Sequence, residues 1–138
     1  MQDLANSIEA AIKYRVEEGG FAVSIFTGQS DYTKANPSLV IHAEAGEEFP
    51  LSSGNYYVNC NCELRMASQE DALADWRALE RNVFGQLNQS DLASKLSEEA
   101  DDLHIFGIRS KETRNGTDEN QWMSTITFSF YACLVDVV

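Results

Sequence analysis

Apolar and polar positions alternate strictly over one stretch of the chain. Tyr56, Val58, Cys60, Cys62, Leu64 and Met66 alternate with Asn55, Tyr57, Asn59, Asn61, Glu63 and Arg65. Period two over this length predicts a strand with one buried and one polar face, and hence antiparallel neighbours, because parallel strands are usually covered on both faces. A second alternating series starts at Gln121 and runs to Val135. Trp122, Ser124, Ile126, Phe128, Phe130, Ala132 and Leu134 face one way, and Met123, Thr125, Thr127, Ser129, Tyr131 and Cys133 the other. Shorter runs rich in β-branched and aromatic residues predict strands at 21–27, 38–44 and 103–113.

The helical periodicity falls between these strands. Leu4, Ile8, Ala11, Ile12 and Val16 make an apolar stripe over 3–18, and Gly19-Gly20 follow as a C-terminal stop. Ser68, with Asp71 three residues on, resembles a capping box opening a helix that carries Ala72, Leu73, Trp76, Leu79, Val83, Phe84 and Leu87. Ser90 can cap a shorter helix bearing Leu92 and Leu96, which runs into the acidic stretch Glu98–Asp102, read as a solvated turn. The order is helix, three strands, two helices, two strands. It predicts one α+β domain over 1–138, with a mainly antiparallel sheet of about five strands and two to three helices on one face. The expected core is Leu4, Ile8, Ile12, Val58, Leu64, Leu73, Trp76, Leu79, Val83, Phe84, Trp122, Ile126, Phe128 and Phe130.

Between the last two strands lies Arg114-Asn115-Gly116-Thr117. Asn-Gly is a strong signal for a tight hairpin turn, whose central residues need positive φ. A turn there makes the hairpin long, with arms at about 109–120 projecting beyond the core. Arg109, Lys111 and Arg114 put basic charge on that arm, and Glu112, Asp118 and Glu119 are available as cross-strand acids. The reading offers either ordinary charge pairing or an arm that reaches a neighbouring subunit.

The 138 residues carry 22 acidic and 10 basic side chains, a net charge of −12. Such a balance repels nucleic acid phosphate and disfavours specific DNA or RNA binding. It serves solubility, or an acidic wall past which a polyanion slides. No apolar run approaches the roughly 18 residues of a membrane span, and no leader pattern opens the chain. Cys60 and Cys62 share one strand face at roughly 6.5–7 Å, a poor disulfide geometry, so buried free thiols are expected, with Cys133 alone in another strand.

Catalytic patterns are missing from the sequence. His42 and His104 sit in or beside apolar strands with no base partner assignable from sequence. Cys-x-Cys is not zinc spacing, and no second ligand pair follows. There is no Gly-x-Ser-x-Gly, no dinucleotide fingerprint and no phosphate loop. Pairs such as Glu47-Glu48 and Asp101-Asp102 are chance adjacency among many acids. The expectation is a non-enzyme without cofactor or metal.

The order and spacing of these elements resemble the tail-terminator, or tail-completion, proteins of long-tailed bacteriophages. The resemblance spans nearly the whole chain. It rests on the opening helix before Gly19-Gly20, the strand led by Pro37, the alternating strand Asn55–Arg65, the helix Ala72–Leu87 with Ala74-Asp75-Trp76-Arg77-Ala78-Leu79 inside it, and the closing strand with Gln121-Trp122 and Phe128-Ser129-Phe130-Tyr131-Ala132. The resemblance implies a homohexameric ring on the tail tube, which stops tube polymerisation and docks the head-side connector or stopper protein. DNA passes through its lumen without specific binding. It implies a virion protein at the neck end of the tail, made in the host cytoplasm, with the tail tube protein and its own copies as partners and no membrane. Ring closure needs two different complementary patches per subunit. The hairpin residues Arg109, Lys111, Glu112, Arg114, Asn115, Gly116, Asp118 and Glu119 are the expected interface, with exposed edge strands beside them. The competing expectations are another neck protein, a standalone acidic binding module or inhibitor with a one-sided acidic face, and an enzyme holding His42 or His104 beside a carboxylate in a deep pocket.

Overall fold

In the computed structural model the described residues are 2–21, 23–28, 37–48, 54–69, 71–100, 103–118 and 121–134. They form α1 (Gln2–Glu17), β1 (Ser24–Thr27), β2 (Ser38–Glu48), β3 (Asn55–Ala67), α2 (Leu73–Leu87), α3 (Leu92–Glu99), β4 (Leu103–Asp118) and β5 (Gln121–Leu134). The strands make one sheet in the order β1-β2-β3-β5-β4. Three of its pairings are antiparallel, and β1 alone runs parallel to its neighbour β2. The expected α+β class and five-stranded, mainly antiparallel sheet are therefore present.

The period-two pattern does the work expected of it. Leu39 and Ile41 of β2, Val58, Cys60, Cys62 and Leu64 of β3, and Ile126, Phe128 and Phe130 of β5 are buried on one face. The three helices pack on that face. Leu4, Ile8, Ile12 and Val16 of α1 and Trp76, Val83, Phe84 and Leu87 of α2 close the core. α1 stops where Gly20 takes a left-handed φ of +69°, which a glycine adopts without strain.

Several expectations need correction. Leu73 is 40% exposed rather than core. Trp76 stacks on Trp122 with centroids 6.1 Å apart, and Glu80 sits four residues further along at Ser124. Leu73 is the first residue of α2, one turn before the stacked Trp76. Leu79 and Trp122 are half-buried against the core. The helix does not start at Ser68: the cap position is Ala72, with no side-chain cap bond, and α3 is preceded by Asp91 in place of Ser90. β2 continues to Glu48, past the end of the strand expected at 38–44.

The hairpin turn is also displaced. Asn115 lies inside β4 at a register shift between Arg114 and Gly116, and the strands pair until Asp118 meets Gln121. Because that pairing continues past Gly116, Asn115-Gly116 marks a bulge within the paired strand. The hairpin is as long as expected, and it extends the sheet: β5 stays paired with β3 down to Gln121 opposite Ala67. Its outer side is the β4 edge of the sheet.

Candidate interaction surface

Among the described residues, the helices pack on one face of the sheet and no element covers the other. Read across the register, one row of that face runs Glu44, Asn59, Ser129, Arg109, and the next runs His42, Asn61, Thr127, Lys111. Hydrogen bonds tie the middle of each row: Ser129 Oγ donates to Asn59 Oδ1 at 3.0 Å and Thr127 Oγ1 to Asn61 Oδ1 at 2.9 Å. These cross-strand pairs link side chains on the solvent-facing side of the sheet.

An aromatic row crosses the same face at one end. Tyr57 meets Tyr131 edge-on with centroids 5.3 Å apart, Tyr131 stacks on Phe106 at 5.6 Å, and Phe106 stacks on His104 at 5.6 Å. Tyr57 is 40% exposed. Tyrosine, phenylalanine and arginine are the residue types enriched where proteins meet. β4 takes part because of a bulge between Phe106 and Arg109, where Gly107 adopts φ +68°. The extra residue there lets both Phe106 and Arg109 share the open face.

β4 is the long edge of the sheet, and its cover is partial. The Ile105 N–H donates to Ser97 Oγ of α3 at 3.0 Å. Further along, Ser110 Oγ donates to Asn88 Oδ1 at 2.9 Å, and Asn88 Nδ2 donates to Glu112 Oε1 at 3.1 Å. These contacts anchor the first half of β4 to the helical layer. Of the expected interface residues, Arg109 and Lys111 are exposed opposite Ser129 and Thr127, so the cross-strand pairing with Glu112, Asp118 or Glu119 weighed for them is not what the register places there. Glu112 is drawn to Asn88. Arg114, Asn115, Gly116 and Asp118 lie in the distal strand, where only the backbone is described, and Glu119 lies outside the described residues.

Charge is distributed unevenly. Among the described residues, the open face carries Glu44 and Glu63 against Arg65, Arg109 and Lys111. The helical layer exposes Glu17, Glu18, Asp71, Asp75, Asp91, Glu98 and Glu99 against Arg77, Arg81 and Lys95. The open face is close to neutral in a chain of net charge −12.

Sequence reasoning missed the buried polar groups. Glu9, on α1, is 4% exposed and its Oε2 accepts the Ala43 N–H at 2.8 Å. β1 ends at Thr27, the Gly28 N–H still donates to the Ile41 carbonyl, and Glu9 supplies the acceptor for the next N–H of β2, that of Ala43. His42 has Nδ1 3.7 Å from Glu9 and Nε2 3.2 Å from Glu44. This is the histidine–carboxylate neighbourhood that the enzyme expectation asked for, with Glu9 already committed to the backbone. His104 instead stacks on an aromatic ring. Glu80 is buried and accepts from the Ser124 hydroxyl. Ser124, the polar member of an otherwise apolar strand face, was the available signal. Cys60 and Cys62 are buried free thiols, and their mutual hydrogen bond, then burial, hold the Cys60 thiol well above its usual value. Among the described residues no group of three or more His, Cys, Asp or Glu is placed to hold a metal ion, and no helix is long and apolar enough to cross a membrane.

No family model matches this chain, and no curated protein matches it. Among solved structures, one whose name says nothing of its activity is similar over 100% of this chain and 98% of its own, with a TM-score of 0.55 and 12% identity. At that identity the likeness speaks for the fold alone.

Proposed function

We propose that this chain is a ring-forming tail terminator of a long-tailed bacteriophage. It is a structural virion protein without enzymatic activity, which caps the tail tube, stops its polymerisation and presents a docking surface to the head-side connector. The carrying observation is the inequality of the two sheet edges. β1 is a four-residue edge, and β4 a sixteen-residue edge that continues past Ser97 and Asn88, its contacts with the helical layer, to Asp118. A closed ring joins unlike patches, and two unlike edges on one subunit supply them. The order and spacing of elements along the sequence support the same reading, and the exposed carboxylates of the helical layer suit a lumen that passes DNA without holding it.

The one-sided placement of those carboxylates also favours a second reading, an acidic binding module that works as a monomer or dimer. The test separates them. Purified protein is added to tail tubes growing in the absence of a terminator, and tube length and ends are followed by electron microscopy. The expected result is tubes of arrested length with a ring at one end. Deleting 112–118 is expected to abolish the ring, with cooperative unfolding confirming that the rest of the sheet remains folded. Tubes that lengthen regardless of the protein overturn the terminator reading, and a ring that survives the deletion overturns the role of β4.

A further inference from the structure

We infer that the open face of the sheet is a self-complementary docking surface for a second copy of this chain, the two sheets stacking face to face about a two-fold axis parallel to the strands and midway between β3 and β5. This contact is distinct from the ring contact proposed above, which joins edges.

The register carries the argument. Such an axis places β2 of one copy over β4 of the other, and β3 over β5, without shifting either along the strands. Glu44 and Arg109 occupy the two ends of one row, Glu44–Asn59–Ser129–Arg109. Each copy's Glu44 therefore lies over the other's Arg109, and the contact is made twice. Both groups are available: the Glu44 side chain is 77% exposed, with His42 its neighbour at 3.2 Å, and Arg109 is exposed. In the aromatic row, Tyr57 falls over Tyr131, and Phe106 falls over the bulge of β2 between Ala45 and Glu48, where Gly46 has no side chain to displace.

Area and charge agree with this occupant. At roughly 4.8 Å between strands and 3.4 Å per residue, four strands over Asn55–Arg65 give a footprint of roughly 700 Å², close to the roughly 800 Å² per partner of a standard interface. A face that merely met solvent would share the acidic bias of the chain. This one carries Glu44 and Glu63 against Arg65, Arg109 and Lys111 among the described residues. Two such faces meet without the repulsion that the helical layers would impose on each other.

The contact is tested by charge reversal read as solution mass, by light scattering and native mass spectrometry over a concentration series, with circular dichroism confirming the fold of each variant. Wild type is expected to dimerise. Glu44→Arg sets arginine against Arg109 twice, Arg109→Glu sets glutamate against Glu44 twice, and each variant alone is expected to be monomeric, with a dissociation constant raised at least tenfold. An equimolar mixture of the two variants is expected to restore a dimer with one copy of each, because both contacts again join opposite charges. The inference is overturned by wild type that stays monomeric throughout, by a direct passage from monomer to hexamer, by a dimer indifferent to either reversal, or by a mixture that stays monomeric. The first of these leaves the ring to be judged at the tube end, and the second favours it, so the two proposals fail separately.

Discussion

Two positions on α2, one turn apart, show how little of a residue's role is written in its hydrophobicity. Leu73 and Trp76 both belong to the apolar stripe of the sequence, yet Leu73 is 40% exposed and Trp76 is 6% exposed and stacked on Trp122. Trp76→Ala removes a buried ring and leaves a cavity between helix and sheet, and Phe84→Ala does the same at a residue 3% exposed. Each is expected to cost about 3–5 kcal/mol. Leu73→Ala empties no enclosed space, and is expected to stay within about 0.5 kcal/mol of wild type, as surface substitutions do. Urea denaturation of the three variants checks the contrast. A loss at Leu73 equal to that at Trp76 would mean that Leu73 is covered in solution.

At the scale of the element, the short β1 is the instructive case. A strand ending at Thr27 leaves the Ala43 N–H of β2 without a ladder partner, and Glu9 of α1 accepts it from within the core. Removing a partner from a buried donor costs about 1–3 kcal/mol. Glu9→Ala is therefore expected to destabilise by that amount, and Glu9→Gln, whose amide oxygen can still accept, by less. Amide hydrogen exchange at Ala43 gives the direct readout: protection falls in the alanine variant and is largely kept in the glutamine variant. Equal loss in both would tie the stability to the charge of Glu9 instead of its hydrogen bond.

The same scale shows why some elements were legible and others not. β3 and β5 could be read because burial on one face forces an apolar residue at every second position, and the helices because their stripes repeat every three or four residues. Glu9 and Glu80 were not, since a buried carboxylate follows from a missing or unusual partner elsewhere in space. The Asn115-Gly116 signal was real chemistry put to another use. Residues that favour a tight turn also suit a bulge, and pairing further along the strands, as far as Asp118 and Gln121, decided between them. The open face was half-legible: its polarity was in the sequence, but the row joining Glu44 to Arg109 depends on the strand order, in which β5 lies between β3 and β4.

For the whole molecule, the consequence of a single core is cooperative unfolding. α1, α2 and α3 pack on one sheet face, and α1 touches both of the other helices. No helix therefore has a separate core of its own. Both tryptophans, Trp76 and Trp122, lie together where α2 begins over the start of β5. Their fluorescence reports that end of the core, while far-UV circular dichroism averages over every element. One domain of this size is expected to unfold in one two-state transition, so the two signals should give the same urea midpoint and the same slope in protein dilute enough to be monomeric. Raising the concentration should move both midpoints upward together if copies associate through folded surfaces, because association stabilises only the native state. A tryptophan transition preceding the far-UV one would instead show that the α2–β5 end opens alone, and that the sheet around β2 and β3 holds without it.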